Sequence, residues 1–206
     1  MNLQLKLIVL GNQYVGKTSL IKRLTNNNFT EYYLSTIGVD YEKINFDYND
    51  CNHEIILWDT SGQDKFNFLL NSYFNTVNGA IIMYDVNNIQ SFNQAKQWID
   101  EFRIRKDNYN IPIFLVANKI DFKTRDVYTT DLEKVGKEYN IKSIEISLKN
   151  NINLDSILPL IIEDYLDKLK RNLISIEKDK INILKIQNSF KILDKKDPEP
   201  KCCIIM

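Results

Sequence analysis

Residues 11–18 read Gly-Asn-Gln-Tyr-Val-Gly-Lys-Thr, GNQYVGKT, and follow directly on the apolar run LKLIVL at residues 5–10. The pattern is G-x-x-x-x-G-K-[ST] placed at the end of a strand. Glycines let a backbone wrap around phosphate oxygens, and successive amide N–H groups form an anion nest that feeds a helix N-terminus. Lys17 supplies a point charge for β and γ phosphates, and the Thr18 hydroxyl can ligate Mg²⁺. The chain has only six glycines. Gly11, Gly16, Gly38 and Gly62 fall in the motifs discussed here, so glycine is concentrated where backbone must approach something closely. A phosphate cradle alone fits kinases, ATPases and GTPases alike.

Outward from this stretch, short apolar runs alternate with amphipathic segments up to about residue 170. That is the rhythm of a mainly parallel sheet with helices between its strands. EIILW (54–58) ends at Asp59, GAIIMYDV (79–86) near Asp85, and IPIFLVAN (111–118) at Asn118. Polar residues that finish apolar strands sit at the carboxyl edge of the sheet, where open α/β folds bind ligands. Between them, Ser91 with Gln94 three residues on predicts a capping box. Phe92, Ala95, Ile99 and Phe102 follow on one helix face. Leu154, Ile157, Leu158, Ile161, Ile162, Tyr165, Leu166 and Leu169 predict a second helix with its stripe against the core.

Two further segments narrow the chemistry. DTSG (59–62) follows a strand; Asp59 can hold Mg²⁺ through water, and the Gly62 N–H can sense a γ-phosphate. NKID (118–121) ends a later strand, and an aspartate there can accept two N–H bonds from guanine at once. Adenine offers no such fork, and buried paired hydrogen bonds of this kind discriminate by roughly 10⁴ to 10⁵. Asn118 and Asp121 alone would equally suit a turn. Their place beyond GNQYVGKT and DTSG points to a guanine nucleotide.

Composition excludes other classes. Lys plus Arg is 27 and Asp plus Glu is 27 in a chain of 206 residues, a balance that argues against coating nucleic acid. The single histidine, His53, leaves no imidazole cage and makes a Ser/His/Asp triad improbable. Three cysteines, Cys51, Cys202 and Cys203, are too few for a disulfide framework or a four-cysteine zinc site. No apolar run approaches the roughly 18 residues of a bilayer span. The first residues lack a secretory pattern, so a cytosol-facing protein in a reducing compartment is expected.

After Lys170 the character changes. Residues 171–206 hold eight Lys/Arg and five Asp/Glu, with two of the four prolines near the end. Either a frayed amphipathic helix or a plain linker fits; broken spacing and missing caps favour the linker. The domain plan is then 1–170 as one body and 171–206 as a tail. The chain ends Lys-Cys-Cys-Ile-Ile-Met. Cys203 with Ile204, Ile205 and Met206 is a C-a-a-X box, whose terminal Met favours farnesyl.

In order, GNQYVGKT, STIGVD, WDTSGQ, NKID and EISLK resemble the Ras superfamily of small GTPases over residues 4–170. STIGVDY (35–41) and WDTSGQDKF (58–66) are similar to its Rab branch, where these segments read STIGVDF and WDTAGQERF. The resemblance implies an α/β, three-layer P-loop NTPase fold: a six-stranded, mostly parallel sheet, one edge strand antiparallel, with helices on both faces. It implies two switch regions, around residues 30–42 and 60–76. It implies a nucleotide-binding set of Gly11, Gln13, Tyr14, Val15, Gly16, Lys17, Thr18 and Ser19, with Gly62 at the γ-phosphate. Thr36 joins Thr18 and Asp59 on Mg²⁺. Lys17, Thr36 and Gln63 are the catalytic residues, Gln63 orienting the attacking water. Phe29 would meet the guanine edge-on, Lys119 would support its plane, and Asn118 and Asp121 would hold its edge. Ser147, Leu148 and Lys149 stand where the family has Ser-Ala-Lys, whose backbone amide meets the guanine carbonyl oxygen. The paired Cys202 and Cys203 resemble Rab endings that carry two geranylgeranyl groups, against the single farnesyl of the C-a-a-X reading.

The activity implied is slow hydrolysis of GTP to GDP, accelerated by a partner's arginine by roughly 10³ to 10⁵. The protein would be a membrane-anchored switch in vesicle transport, cycling with the cytosol. Its partners would be an exchange factor, a GAP, effectors and a prenyl chaperone. Gln13 and Tyr14 depart from the small residues usual in the phosphate loop. They keep open a hydrolysis-poor scaffold of the same fold. A Rho- or Ras-type signalling switch is a further alternative, disfavoured by STIGVD and the double cysteine.

Overall fold

Strand β1 (Gln4–Leu10) lies inside a six-stranded sheet, and its alternating side chains feed both faces. Leu5, Leu7 and Val9 enter one hydrophobic cluster, whereas Ile8 and Leu10 enter the other. That period-2 split is what a strand buried on both sides requires, and it explains why LKLIVL reads as a continuous apolar run. The computed structural model describes residues 3–30, 36, 39–62, 73–171 and 173–174. The expectations placed on Ser35, Gly38, Gln63 and the tail with Cys202 and Cys203 lie outside the described residues.

The other strands are β2 (Val39–Tyr48), β3 (Cys51–Thr60), β4 (Gly79–Asp85), β5 (Ile113–Asn118) and β6 (Lys142–Glu145). Their spatial order is β2-β3-β1-β4-β5-β6, with only β2 antiparallel to its neighbour. Helices are α1 (Lys17–Asn26), α2 (Ile89–Lys106), α3 (Thr129–Glu138) and α4 (Ile157–Lys170), the last preceded by a 3₁₀ turn at Leu154–Ser156. Leu20 of α1 and Ile161 of α4 pack in the first cluster; Ile99 of α2 and Leu132 of α3 pack in the second. This is the expected three-layer α/β fold, and all of these elements fall within one compact unit, Met1–Ile174. On α4, Ile157, Leu158, Ile161, Ile162 and Tyr165 are all buried, each worth roughly 1.5–3 kcal/mol over an exposed position.

Two local expectations change. EIILW belongs to a longer strand, because β3 begins at Cys51 as the second arm of a hairpin with β2. Asn49 and Asp50 both have positive φ (49° and 57°) between the paired Tyr48 and Cys51. A two-residue turn with both φ positive matches the twist of the strands it joins. Nor is Ser91 the cap of α2. Asn88 caps it, accepting from the Ser91 N–H at 3.0 Å, and the helix starts at Ile89. Ser91 is buried instead, its Oγ donating to Asn88 O (2.7 Å) and accepting from Asp85 N (3.0 Å). Because the helix starts at Ile89, Ser91 lies inside its first turn, and its own N–H is one of the orphan amides that Asn88 satisfies.

Among the described residues no helix is long and apolar enough to cross a membrane.

Candidate nucleotide site

The phosphate loop leaves β1 at Gly11, whose φ is +137°. A Cβ there would stand 2.3 Å from Met83 O on β4, so only glycine lets the chain turn out of the sheet. Gly16, with φ +106°, brings the chain into α1. No side chain caps that helix, and no acid occupies its first turn. Its first amides are therefore left for an anionic ligand. Between the two glycines, Tyr14 holds φ +67° with its side chain largely exposed. A tyrosine in that region costs on the order of 1 kcal/mol or more. Asn12 Nδ2 donates to Gln94 Oε1 on α2, and a cleft of about 260 Å³ opens there, lined among others by Gly11, Gln13, Gly62 and Gln94.

Lys17 is buried at the foot of this loop. Its Nζ donates to Gly11 O and Asn12 O, both at 2.8 Å, so two of its three protons fasten the loop. Burial lowers its pKa to about 8, and the nearby Asp59 carboxylate opposes that drop. Gly62 lies directly on the loop: a Cβ on it would fall 2.4 Å from Gln13 N and 2.6 Å from Lys17 Nζ. Any other residue would push the DTSG segment off the phosphate loop.

Beside Lys17, three oxygens from three segments converge. Thr18 Oγ1 donates to Asp59 Oδ2 at 2.7 Å and lies 2.9 Å from Thr36 Oγ1. Asp59 Oδ1 is buried with no partner. Burial raises the Asp59 pKa, while the Thr18 hydroxyl and Lys17 pull it back down. A hard-oxygen set with an orphaned carboxylate oxygen fits Mg²⁺, which takes few protein ligands and completes its shell with water and phosphate. Consistent with that, no group of three His, Cys, Asp or Glu is gathered anywhere among the described residues.

A second group of side chains gathers after the ends of β5 and β6. Asn118, buried at the end of β5, donates from Nδ2 to Val15 O (2.8 Å) and accepts at Oδ1 from Leu148 N (3.3 Å). One amide thus ties the phosphate loop to the loop after β6. Ser147 Oγ donates to Asp121 Oδ1 at 2.5 Å and accepts from Asn150 N at 3.1 Å, fixing the carboxylate's direction. The Leu148 side chain is buried in the first core cluster, its Cδ1 within 3.0 Å of where a Gly16 Cβ would be. The larger residue thus turns inward and leaves the loop's backbone in place. Lys119, at φ +71°, turns back so that Nζ meets Asp85 Oδ2 at 2.6 Å. Asp85 Oδ1 in turn accepts from Asn87 N at 2.9 Å. Phe29 packs against the first cluster, with the Arg23 guanidinium carbon 5.1 Å from its ring centre.

Of the expected site residues, the phosphate-loop set, Thr36, Asp59 and Gly62 meet at one end. Phe29, Asn118, Lys119, Asp121, Ser147, Leu148 and Lys149 lie around the other. Gln63 lies outside the described residues. Arg23 carries no motif, and Asp85 is legible only as a strand end; the fold brings both to the base end. A row of rings lies outside the site. Tyr41 and Trp58 stand 5.3 Å apart between centroids, and Trp58 and Tyr73 4.9 Å.

Comparison with known proteins agrees with this geometry. A family model described as the Ras family matches residues 6–167. Ras-related protein Rab-32D of Dictyostelium discoideum is 38% identical over 165 residues, covering 77% of this chain and 72% of that protein. Ras-related protein Rab-3C of Bos taurus is 29% identical over 198 residues, covering 96% of this chain and 86% of that protein.

Proposed function

The chain belongs to the Ras family of small GTPases and is Rab-like within it, and from that premise we propose that it is a guanine-nucleotide switch that hydrolyses GTP slowly and recruits effectors at a membrane. The observation that carries the reading is Thr36. Its hydroxyl, from the segment before β2, lies 2.9 Å from the Thr18 hydroxyl, beside the buried Asp59 carboxylate. A segment fastened at the phosphate end is one that can respond to what is bound there.

In this reading Lys17 and the loop amides neutralise phosphate charge. Mg²⁺, held by Thr18, Thr36 and the Asp59 side, would supply further charge stabilisation. Asn118, Asp121 and the Leu148 amide read the guanine edge, with Lys119 at its plane. Hydrolysis needs in-line positioning more than acid–base groups. Gln63 would orient the water and a partner would add the missing arginine. The outward-facing Tyr41, half-buried Trp58 and Tyr73 form an aromatic strip, chemistry that suits an effector's apolar side chains. Residues 171–206 would act as a tether, with Cys202 and Cys203 carrying lipid. Two chains anchor stably where one does not.

Chromatography of the nucleotide released on denaturing fresh protein tests the reading. GDP at about one per chain is expected, and an adenine nucleotide would overturn it. Mostly GTP would favour a hydrolysis-poor scaffold, a reading that the left-handed Tyr14 at the phosphate loop keeps specific. Intact-mass analysis of membrane-extracted protein checks the tail: a lipid adduct lost in Cys202→Ser plus Cys203→Ser is expected.

A further inference from the structure

Arg23 lies in no motif, yet its guanidinium touches two segments at the base end, residues 27–29 and residues 148–149. Nε donates to Leu148 O at 2.9 Å and Nη2 to Lys149 O at 3.3 Å. Nη1 donates to Asn27 O at 3.0 Å, and the plane lies over the Phe29 ring at 5.1 Å. Asn27 ends α1 in the left-handed conformation, its N–H returning to Arg23 O. Arg23 therefore closes the helix with its backbone and reaches past that end with its side chain.

We propose that Arg23 is a positioning residue for the guanine base, holding Phe29 and the Ser147–Lys149 loop at a fixed separation. The inference rests on the reading that Phe29 and the Leu148 amide meet the base. The chemistry needs arginine: a planar fork serves three carbonyl oxygens and stacks on a ring at once, whereas a lysine ammonium is a single point with three donors. Phe29 is only two residues past Asn27, and Leu148 follows the serine that aims Asp121. One guanidinium thus sets two sides of the base site, while none of its contacts reaches Lys17, Thr18, Thr36 or Asp59.

The test is release of a fluorescently labelled GDP from the Mg²⁺-loaded full chain, compared across wild type, Arg23→Met, Arg23→Lys and Phe29→Leu. Arg23→Met is expected to speed release on the order of tenfold, about one charge-assisted hydrogen bond's worth. Arg23→Lys should speed it nearly as much, because the charge is kept and the fork is lost. Single-turnover hydrolysis of saturating GTP should stay within about twofold of wild type in both. Wild-type release from both arginine variants, with Phe29→Leu accelerated, overturns the proposal. Equal losses in hydrolysis and melting temperature overturn it too, since they mark a helix cap and nothing more. An unchanged Phe29→Leu would instead sink the base-contact reading beneath it. Should Arg23→Met not fold, Arg23→Lys, which keeps the stem and charge, carries the same comparison.

Discussion

At the phosphate end, Lys17 Nζ is fastened to the carbonyls of Gly11 and Asn12, residues five and six positions earlier, and Gly62 rests on the same turn of chain. At the base end, Asn118 reaches back to Val15, Ser147 reaches back to Asp121, and Lys119 crosses to Asp85. The first region is backbone wrapped closely enough that a Cβ at Gly11 or Gly62 would clash. The second is a lattice of side chains spanning distant segments. Charge is gripped by amides that any suitably turned chain can supply. The groups proposed to read the base must be brought in from elsewhere and held.

The two ends should therefore fail differently. The largest effect belongs to Asp121→Asn. It removes the carboxylate proposed to accept two N–H bonds from guanine, and it offers a donor to a base with an oxygen where guanine has its amine. Preference for GDP over xanthosine diphosphate is expected to fall by on the order of 10⁴, measured by competition, with phosphate contacts intact. Lys17→Met attacks the other end and should weaken every nucleoside diphosphate alike, by ~10² to 10³ in titrations, since it leaves phosphate charge uncompensated. Chelating Mg²⁺ with EDTA should speed GDP release by about a hundredfold, and Asp59→Ala should blunt that response. Asp85→Asn keeps the acceptor for Asn87 N but removes the charge facing Lys119. About a tenfold faster release is expected, the same for GDP and inosine diphosphate, because the base plane and not its amine is affected. The smallest is a control on both: Asn88→Ala should cost about 1 kcal/mol in denaturant unfolding and leave release rates alone.

The same contrast explains what was legible in the sequence. GNQYVGKT, DTSG and NKID each sit at the end of an apolar strand, and strand ends gather at one sheet edge, so a mainly parallel α/β sheet and the phosphate end follow from order alone. The six strands and the antiparallel edge came only with the resemblance. The switch from period 2 to helical spacing likewise carried α2 and α4. Ser91 misled because the capping pattern cannot show that the helix already begins at Ile89, with Asn88 as its cap and Ser91 inside the first turn. Arg23 could not be picked out, for its loop partner Leu148 lies 125 residues away. Asp85 was legible as a strand end at the ligand edge, but its pairing with Lys119, 34 residues on, was not. Tyr41 and Tyr73 meet Trp58 only across strands and loops. Leu148, a bulky residue where a small one is usual in related chains, is harmless because the core takes its side chain while its amide stays at the loop.

The central position of β1 has a consequence for how the protein is made. This strand leaves the ribosome before either of its neighbours, residues 54–59 of β3 and 79–82 of β4. At roughly 5–20 residues per second, several seconds pass before either partner is available. Synthesis then continues through β5 to the loop that holds Ser147, Leu148 and Lys149. A nascent chain has every phosphate-end group described here once Gly62 has emerged, long before it has the residues that distinguish one base from another. The residues proposed to select the base are thus made well after those that grip phosphate.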